Sequence, residues 1–512
     1  MDMMSARTNI SRGRPVINTY NSTRQISTRL HVFVNKGNVA AKEPDLYDTM
    51  SKVIQIKQLV GAKGSVKHNV LDPKRFTTEL GERVGFITTT DLQQDEMVIS
   101  ISEEMAITSI DAENHEVVGG VASSCGGELV ALTLWLMAER EKGADSAYAN
   151  LLATLPDQSY STLLWTDSEL ETLLSGSPVL AESRNRVSEL KRQWQELYDG
   201  WFSKDVSKFK PDTYNYEKFA AAFCVVLAHT VYLPSAQLFA LLPLISLMGR
   251  TGNANGCDVD YDSESKQVFI KAGRPYREGQ EVLLNDVRPN GELLMATGTL
   301  PETNTANFIN FPAALIPADK YFVMKSQILE SMGFSPQEYF PVFPDRMPNQ
   351  LLAYIRLARV QDPALFAKVS FEQDIQLSQM NEYEVLQLLM GDCRERLACY
   401  RTSMEEDIKL SQQRDLSVKE KLAVKLRLSE KRIISSTMDA VRQRLAPIRG
   451  IPTKAGGMQD PNSDLAEIFQ TIESIPNAPK KLFEGLLSWA KGEQDPDWGK
   501  GPIKKPLPKK PW

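Results

Sequence analysis

The residues best placed to do chemistry lie between Leu241 and Phe311. From Gly249 to Gly256 the chain sets Gly249, Gly252, Asn253, Asn255 and Gly256 close together. These residue types tolerate positive φ and leave room beside the chain, so the loop lets backbone approach backbone or a ligand closely. It reads either as a connector between buried strands or as a ligand-approach loop. Upstream, His229 closes the apolar run AAAFCVVLAH. Such a histidine can titrate near neutral pH, and after an apolar run it is also a common hydrogen-bonded core residue. The five cysteines, Cys125, Cys224, Cys257, Cys393 and Cys399, form no C-x-x-C pair. That argues against a metal site and a disulfide framework, and for a reducing compartment.

The elements that must hold these residues can be read from periodicity. From Phe76, apolar residues alternate at Val84, Phe86 and then Met97, Ile99, Ile101, the period of half-buried strands. Val268-Phe269-Ile270 and Val282-Leu283-Leu284, bounded by Gly, Asp and Pro, read as further strands. Between Gly127 and about Tyr198 the spacing of Leu129, Leu132 and Leu136, with Gly143 as a stop, is helical. Trp165 reads as a packing anchor there. Beyond Phe311 helical periodicity dominates. Ser417 and Glu420 make a capping box that starts a helix at Val418, with Leu422, Leu426, Ile433, Ile434, Met438 and Val441 as its buried stripe.

A length of 512 residues accommodates two to four domains. The net charge of -6 gives no reason to expect nucleic-acid binding, and no apolar run reaches membrane-spanning length. Residues 1–45 stand apart: Arg7, Arg12, Arg14, Arg24 and Arg29 lie among Ser and Thr, and Asp2 is the only acid before Glu43. This composition fits an organelle transit peptide or a disordered basic tail. The tail, residues 446–512, offers amphipathic stretches from Asp464 to Ser474 and Lys480 to Lys491. Its Pro-rich basic end reads as a solvated tail or a docking segment anchored by Trp512.

Two sets of motifs resemble one family. Leu241-Leu242-Pro243-Leu244, Gly279-Gln280-Glu281-Val282, Asn290-Gly291-Glu292-Leu293-Leu294 and Pro301-Glu302-Thr303-Asn304 follow the second half of a SET domain. The type is that of the plant Rubisco large-subunit lysine methyltransferases and their actin-histidine relatives. Gly85, Asp91-Leu92 and Asp95-Glu96-Met97-Val98 resemble its opening. Tyr400-Arg401-Thr402, Glu405-Glu406-Asp407 and Arg427-Leu428-Ser429-Glu430-Lys431 resemble that family's C-terminal substrate-binding domain. The resemblance implies an α+β fold: a β-rich split SET core over 76–310 with a helical insert at about 127–235, then an all-α lobe over 319–445. It also implies S-adenosylmethionine as cofactor, no metal, a protein partner or substrate, and, through the plastid branch, the chloroplast, with the cytoplasm as the alternative.

The same resemblance locates a site whose chemistry has changed. Two glycines of the family fold over the amino-acid moiety of S-adenosylmethionine; here Gly85 stands at one position and Arg83 at the other. The adenine-contacting N-H-S is matched by Gly249-Arg250-Thr251, the cofactor-binding candidates being Arg83, Gly85, Gly249 and Arg250. His229, Ser246 and Thr297 stand at substrate-pocket positions, those of an arginine, an aspartate and a tyrosine. Asn285 takes the place of the catalytic tyrosine. Methyl transfer to lysine needs a deprotonated amine, from a reference pKa of ~10.4, aligned in line with a sulfonium. Losing one preorganised polar group typically costs ~10²–10³ in rate, and here several change together. The expectation is a SET-fold protein with weakened or lost methyl transfer that binds a partner through its helical lobe. The alternative is an active S-adenosylmethionine-dependent protein-lysine N-methyltransferase acting on a non-histone, possibly chloroplast, protein. Arg83 and Arg250 should approach the cofactor cleft, with Glu79, Glu82 or Asp286 as a neutralising acid.

Overall fold

The chain folds around a four-stranded antiparallel sheet in the order Val66–Asn69, Met97–Ser102, Gln267–Lys271, Asp258–Asp262. The structure is a computed structural model and describes residues 46–62, 66–78, 81–157, 159–253 and 255–448. The two tails singled out above therefore lie outside the described residues but for the stretch 446–448. All described residues belong to one compact unit.

Met97–Ser102 is an inner strand, and Val98, Ile99 and Ile101 are all fully buried, which is why its sequence is nearly continuously apolar. Beside the sheet, Leu71–Thr78 pairs antiparallel with Gly81–Thr88, setting Arg83 opposite Phe76 and Gly85 opposite Lys74. A short parallel pair joins Arg250–Thr251 to Leu284–Asn285. The apolar stretch Val282–Leu284 is extended, but its ladder is displaced toward Asn285. Glu281 bridges Ile87, the Val282 amide donates to the Phe86 carbonyl (2.9 Å), and only Leu284 and Asn285 form a strand. The helix Leu46–Ala62, ahead of the first strand, adds Val53 and Ile56 to the same core.

Helices interrupt the strand-rich part. Glu128–Lys142 is buried along most of its length, so its apolar residues are not confined to one stripe. Pro178–Leu197 starts where Ser177 accepts from the Val179 amide and Pro178 pre-sets the first turn. Tyr216–His229 is capped by Asn215, which accepts from the Lys218 amide. Trp165 is a packing anchor: it is buried, and its indole N–H donates to the Tyr160 carbonyl (3.0 Å).

The fold is α+β. The C-terminal part, expected to be all-α over 319–445, is instead helical around one strand pair, Ile309–Ala314 with Gln337–Val342. Its last helix, Val418–Ile448, begins at the capping box, where Ser417 and Glu420 exchange side-chain-to-backbone bonds. The six stripe residues from Leu422 to Val441 are buried. A separate apolar cluster seals the insert to this helix: Trp165, Leu170, Leu174 and Val179 meet Leu293, Leu294, Leu422 and Leu426.

Candidate functional site

Three strand segments build the site. Gly81–Thr88 carries Arg83 and Gly85, Arg250–Thr251 follows Gly249, and the 281–285 stretch joins them. The Val282 amide bonds to Phe86 on one side, and the Leu284 amide donates to the Gly249 carbonyl (2.8 Å) on the other. Between the outer two lies the Arg83 guanidinium, fixed by a bidentate pair to Glu281 with N–O distances of 2.6 and 3.0 Å. It also lies 5.0 Å from the Phe76 ring centroid. A Cβ added at Gly85 would stand 2.7 Å from an Arg83 nitrogen, and one added at Gly249 would stand 3.0 Å from the same atom. The acid that neutralises Arg83 is therefore Glu281, and not Glu82 or Asp286; Glu79 lies outside the described residues.

Arg250 takes the other expected acid. Its guanidinium reaches Asp286 at 3.4 Å and donates to the carbonyls of Ala228 (3.2 Å) and Thr230 (2.9 Å). Asp286, buried, also holds Arg288 through two 2.7 Å bonds. Arg250 thus closes over the end of the Tyr216–His229 helix. There His229 Nδ1 bonds the Ser246 carbonyl at 2.8 Å, and the Ser246 hydroxyl accepts from the Leu242 amide at 2.8 Å. Burial, opposed by the Ser246 bond and aided by Arg250 and Arg140, pushes the His229 pKa down to about 4. The imidazole is neutral at pH 7 and behaves as a core histidine.

Asn285 pairs in the ladder with Thr251, and its side-chain amide donates to Asp258 (3.1 Å). Its side-chain oxygen is buried without a hydrogen-bond partner. Thr297 stands apart: its hydroxyl donates to the Leu293 carbonyl (2.8 Å) within its own helix, and no bond links it to the other candidates. The structure thus brings Arg83, Gly85 and Gly249 together, joins Arg250, His229 and Ser246, seats Asn285 beside Thr251, and leaves Thr297 at the end of Asn290–Thr297.

The glycine-rich loop serves close approach, as one of its two readings requires. Added Cβ atoms at Gly252 and Gly256 would stand 2.6 Å from the Asn304 side chain and 2.7 Å from the Asn285 backbone. None of Gly249, Gly252 and Gly256 adopts positive φ; their value here is missing bulk. Sequence reasoning missed Glu281 and Asp258. The available signal was electrostatic: an arginine on a strand beside a packed core calls for a carboxylate nearby. Glu281 followed the matched Gly279-Gln280 turn. Among the described residues no cluster of metal-ligating side chains occurs, and no helix is long and apolar enough to cross a membrane.

Comparison with known proteins agrees with this architecture. The family described as Rubisco LSMT substrate-binding matches residues 316–434. The chloroplastic Rubisco large subunit N-methyltransferase of Pisum sativum is 23% identical over 413 residues, 77% of this chain and 81% of that protein. The actin-histidine N-methyltransferase of Homo sapiens is 23% identical over 384 residues, 70% of this chain and 63% of that one. A structure of Rubisco LSMT bound to AdoMet superposes with a TM-score of 0.61 at 19% identity, covering 85% of this chain and 99% of its own. An LSMT SET domain bound to lysine and AdoHcy gives 0.62 at 20% identity, over 81% and 98%. The chain has the SET fold. Within it, residues 316–434 match the family described as Rubisco LSMT substrate-binding.

Proposed function

We propose that this chain is a SET-fold protein that docks a protein partner through its C-terminal helical lobe and in which methyl transfer is weakened or lost. The observation that carries this reading is that the side chains at the candidate positions are spent on the protein itself. Arg83 holds Glu281, Arg250 holds Asp286 and two carbonyls, Ser246 holds the Leu242 amide, and His229 holds Ser246. Asn285 supplies neither a phenol hydroxyl nor an aromatic face to a cationic methyl group. The lobe, by contrast, presents apolar groups to solvent. Val323 (68%), Met324 (47%) and Met332 (56%) are exposed within the region matched to the substrate-binding family, the kind of adaptable surface that partners use.

The alternative, an active S-adenosylmethionine-dependent protein-lysine N-methyltransferase, draws support from the extent of the likeness, which runs through both lobes of the AdoMet-bound neighbour. For location we infer the chloroplast, on the chloroplastic relatives of Pisum sativum, Nicotiana tabacum and Arabidopsis thaliana and the Arg/Ser-rich first forty residues. The animal relatives keep the cytoplasm as the alternative.

The test has two arms. Purified protein is incubated with methyl-tritiated S-adenosylmethionine and, separately, the Rubisco large subunit, fructose-bisphosphate aldolase and actin, the proteins its relatives are named for. No label should enter any of them, and label on a lysine or histidine would overturn the loss of transfer. In the second arm a photo-crosslinker placed at Gln327, beside the exposed face, is used in stromal extract. One discrete adduct should form and be lost in Val323→Glu/Met324→Glu; an adduct indifferent to that change would overturn docking through this face.

A further inference from the structure

We propose that Arg83 and Glu281 form a clasp that closes the S-adenosylmethionine cleft from within, the guanidinium standing where the cofactor would pass between Gly85 and Gly249. The proposal rests on the reading of weakened transfer and gives it a physical cause at the binding step.

The geometry is that of an occupied gap. The strand carrying Gly85 and the segment at Gly249 are not free to separate. Both are hydrogen-bonded to the 281–285 stretch that runs between them, through Val282 to Phe86 and Leu284 to Gly249. Glu281 is the residue immediately before that first tie, and its carboxylate lies over Gly85, where an added Cβ would stand 2.6 Å from one of its oxygens. Arg83 reaches it with both terminal nitrogens and lays its planar cation 5.0 Å from the Phe76 ring. A bidentate fork is the arrangement in which an arginine is most specifically oriented. Gly85 and Gly249 both come within 3.0 Å of the same guanidinium nitrogen once a Cβ is built on them, so the space left by the two missing side chains holds the arginine head, with the Glu281 carboxylate beside it at Gly85 (2.6 Å) and Leu283 at Gly249 (2.7 Å).

Electrostatics oppose the cofactor as well as sterics. S-adenosylmethionine brings a sulfonium and an ammonium against a single carboxylate, and so arrives as a net cation. Among the described residues the carboxylate beside Arg83, that of Glu281, already has its two oxygens committed to it, and an arginine cannot lose its proton to relieve the repulsion. The clasp is also removable. Arg83 keeps 37% of its side chain exposed and Glu281 17%, so neither is part of the apolar core and replacing the arginine leaves the sheet's packing intact.

Isothermal titration calorimetry with S-adenosylmethionine and with S-adenosylhomocysteine tests the idea on the full chain, Arg83→Gly and Arg83→Ser. The serine variant covers the case in which glycine loosens the strand, and circular dichroism checks that each variant is folded. The expected result is no measurable heat with the parent and, in a folded variant, a dissociation constant at least tenfold below the highest concentration tested. Parent protein that binds at micromolar concentration overturns the clasp. The transfer assay then still decides separately whether methylation is lost. Folded variants that stay silent like the parent also overturn the clasp, because something else closes the cleft, while the loss of transfer stands.

Discussion

Replacing Glu430 by Gln should change how stability depends on pH more than it changes stability itself. Glu430 lies at the seam between insert and lobe, fully enclosed. One carboxyl oxygen accepts from the Ser177 hydroxyl (2.8 Å), and the other from the Tyr400 hydroxyl (2.9 Å). Burial raises its pKa to about 7, and the two hydroxyls, Arg427 and Lys431 only partly offset the rise. Asp407 faces the same two cations, each at 2.6 Å. The carboxyl is therefore protonated in the folded chain and ionised in the unfolded chain between its ordinary value of 4.5 and about 7. A raised folded-state pKa means that the contribution is fully present below 4.5, falls as pH rises through the window, and is gone above 7. The difference between 4.5 and about 7, at ~1.36 kcal/mol per pH unit, is on the order of 3 kcal/mol.

Glutamine keeps the shape, and one hydroxyl must turn to accept from its amide, at roughly 1 kcal/mol for one altered hydrogen bond. Urea denaturation of parent and Glu430→Gln from pH 5 to 9 isolates the group, because every other titration is common to both proteins. The variant-minus-parent stability should climb by ~1.4 kcal/mol per pH unit between 5 and 7, then level off above 8. A difference constant across the range would refute the reasoning.

His229 should act in the opposite sense. Its folded pKa is depressed from 6.5 to about 4, so its contribution is present above 6.5 and is lost as pH falls toward 4. His229→Gln should remove up to ~3 kcal/mol of acid sensitivity in that window, an upper bound because the residue is only half-buried; an unchanged acid limb in urea melts would contradict it. Asp407→Asn should cost ~3–5 kcal/mol by leaving Arg427 and Lys431 buried beside a neutral amide. A midpoint shift worth less than ~1 kcal/mol would show the network to be dispensable.

The sequence made the elements legible where one period dominated. Met97–Ser102 and Gln267–Lys271 are strands because their apolar residues face packed neighbours on the sheet, and Val418 starts a helix because Ser417 and Glu420 cap each other. The Val282–Leu284 ladder was misplaced because an extended apolar run does not say which of its residues find a partner. That was decided by Gly249 and Phe86, remote in sequence. The strand Gln337–Val342 was hidden in the same way: its Pro341 and its single partner strand make it a short two-stranded pair inside a helical stretch. In the site, the motif frame located the segments, and the glycines did mark close approach. The ion pairs were harder, since Arg83 and Glu281 are separated by 198 positions and only the sheet brings them together.

The C-terminal motif residues show what a motif match can and cannot attest. Of the residues that resembled the substrate-binding signature, Tyr400, Asp407, Arg427, Glu430 and Lys431 are buried and bonded to one another or to the insert. Lys431 also holds the Thr402 carbonyl (2.6 Å), and Arg427 reaches the Leu173 carbonyl across the seam. A side chain so enclosed meets no partner without local unfolding, so these residues hold the lobe's shape and its seat on the insert. They depend on one another, and removing one member strands the charges of the others. Outside the motif, Val323 and Met324 are exposed, so their side chains contribute little to folding and can change without loss of the fold. A lobe can therefore keep this buried signature while the surface it shows to solvent changes.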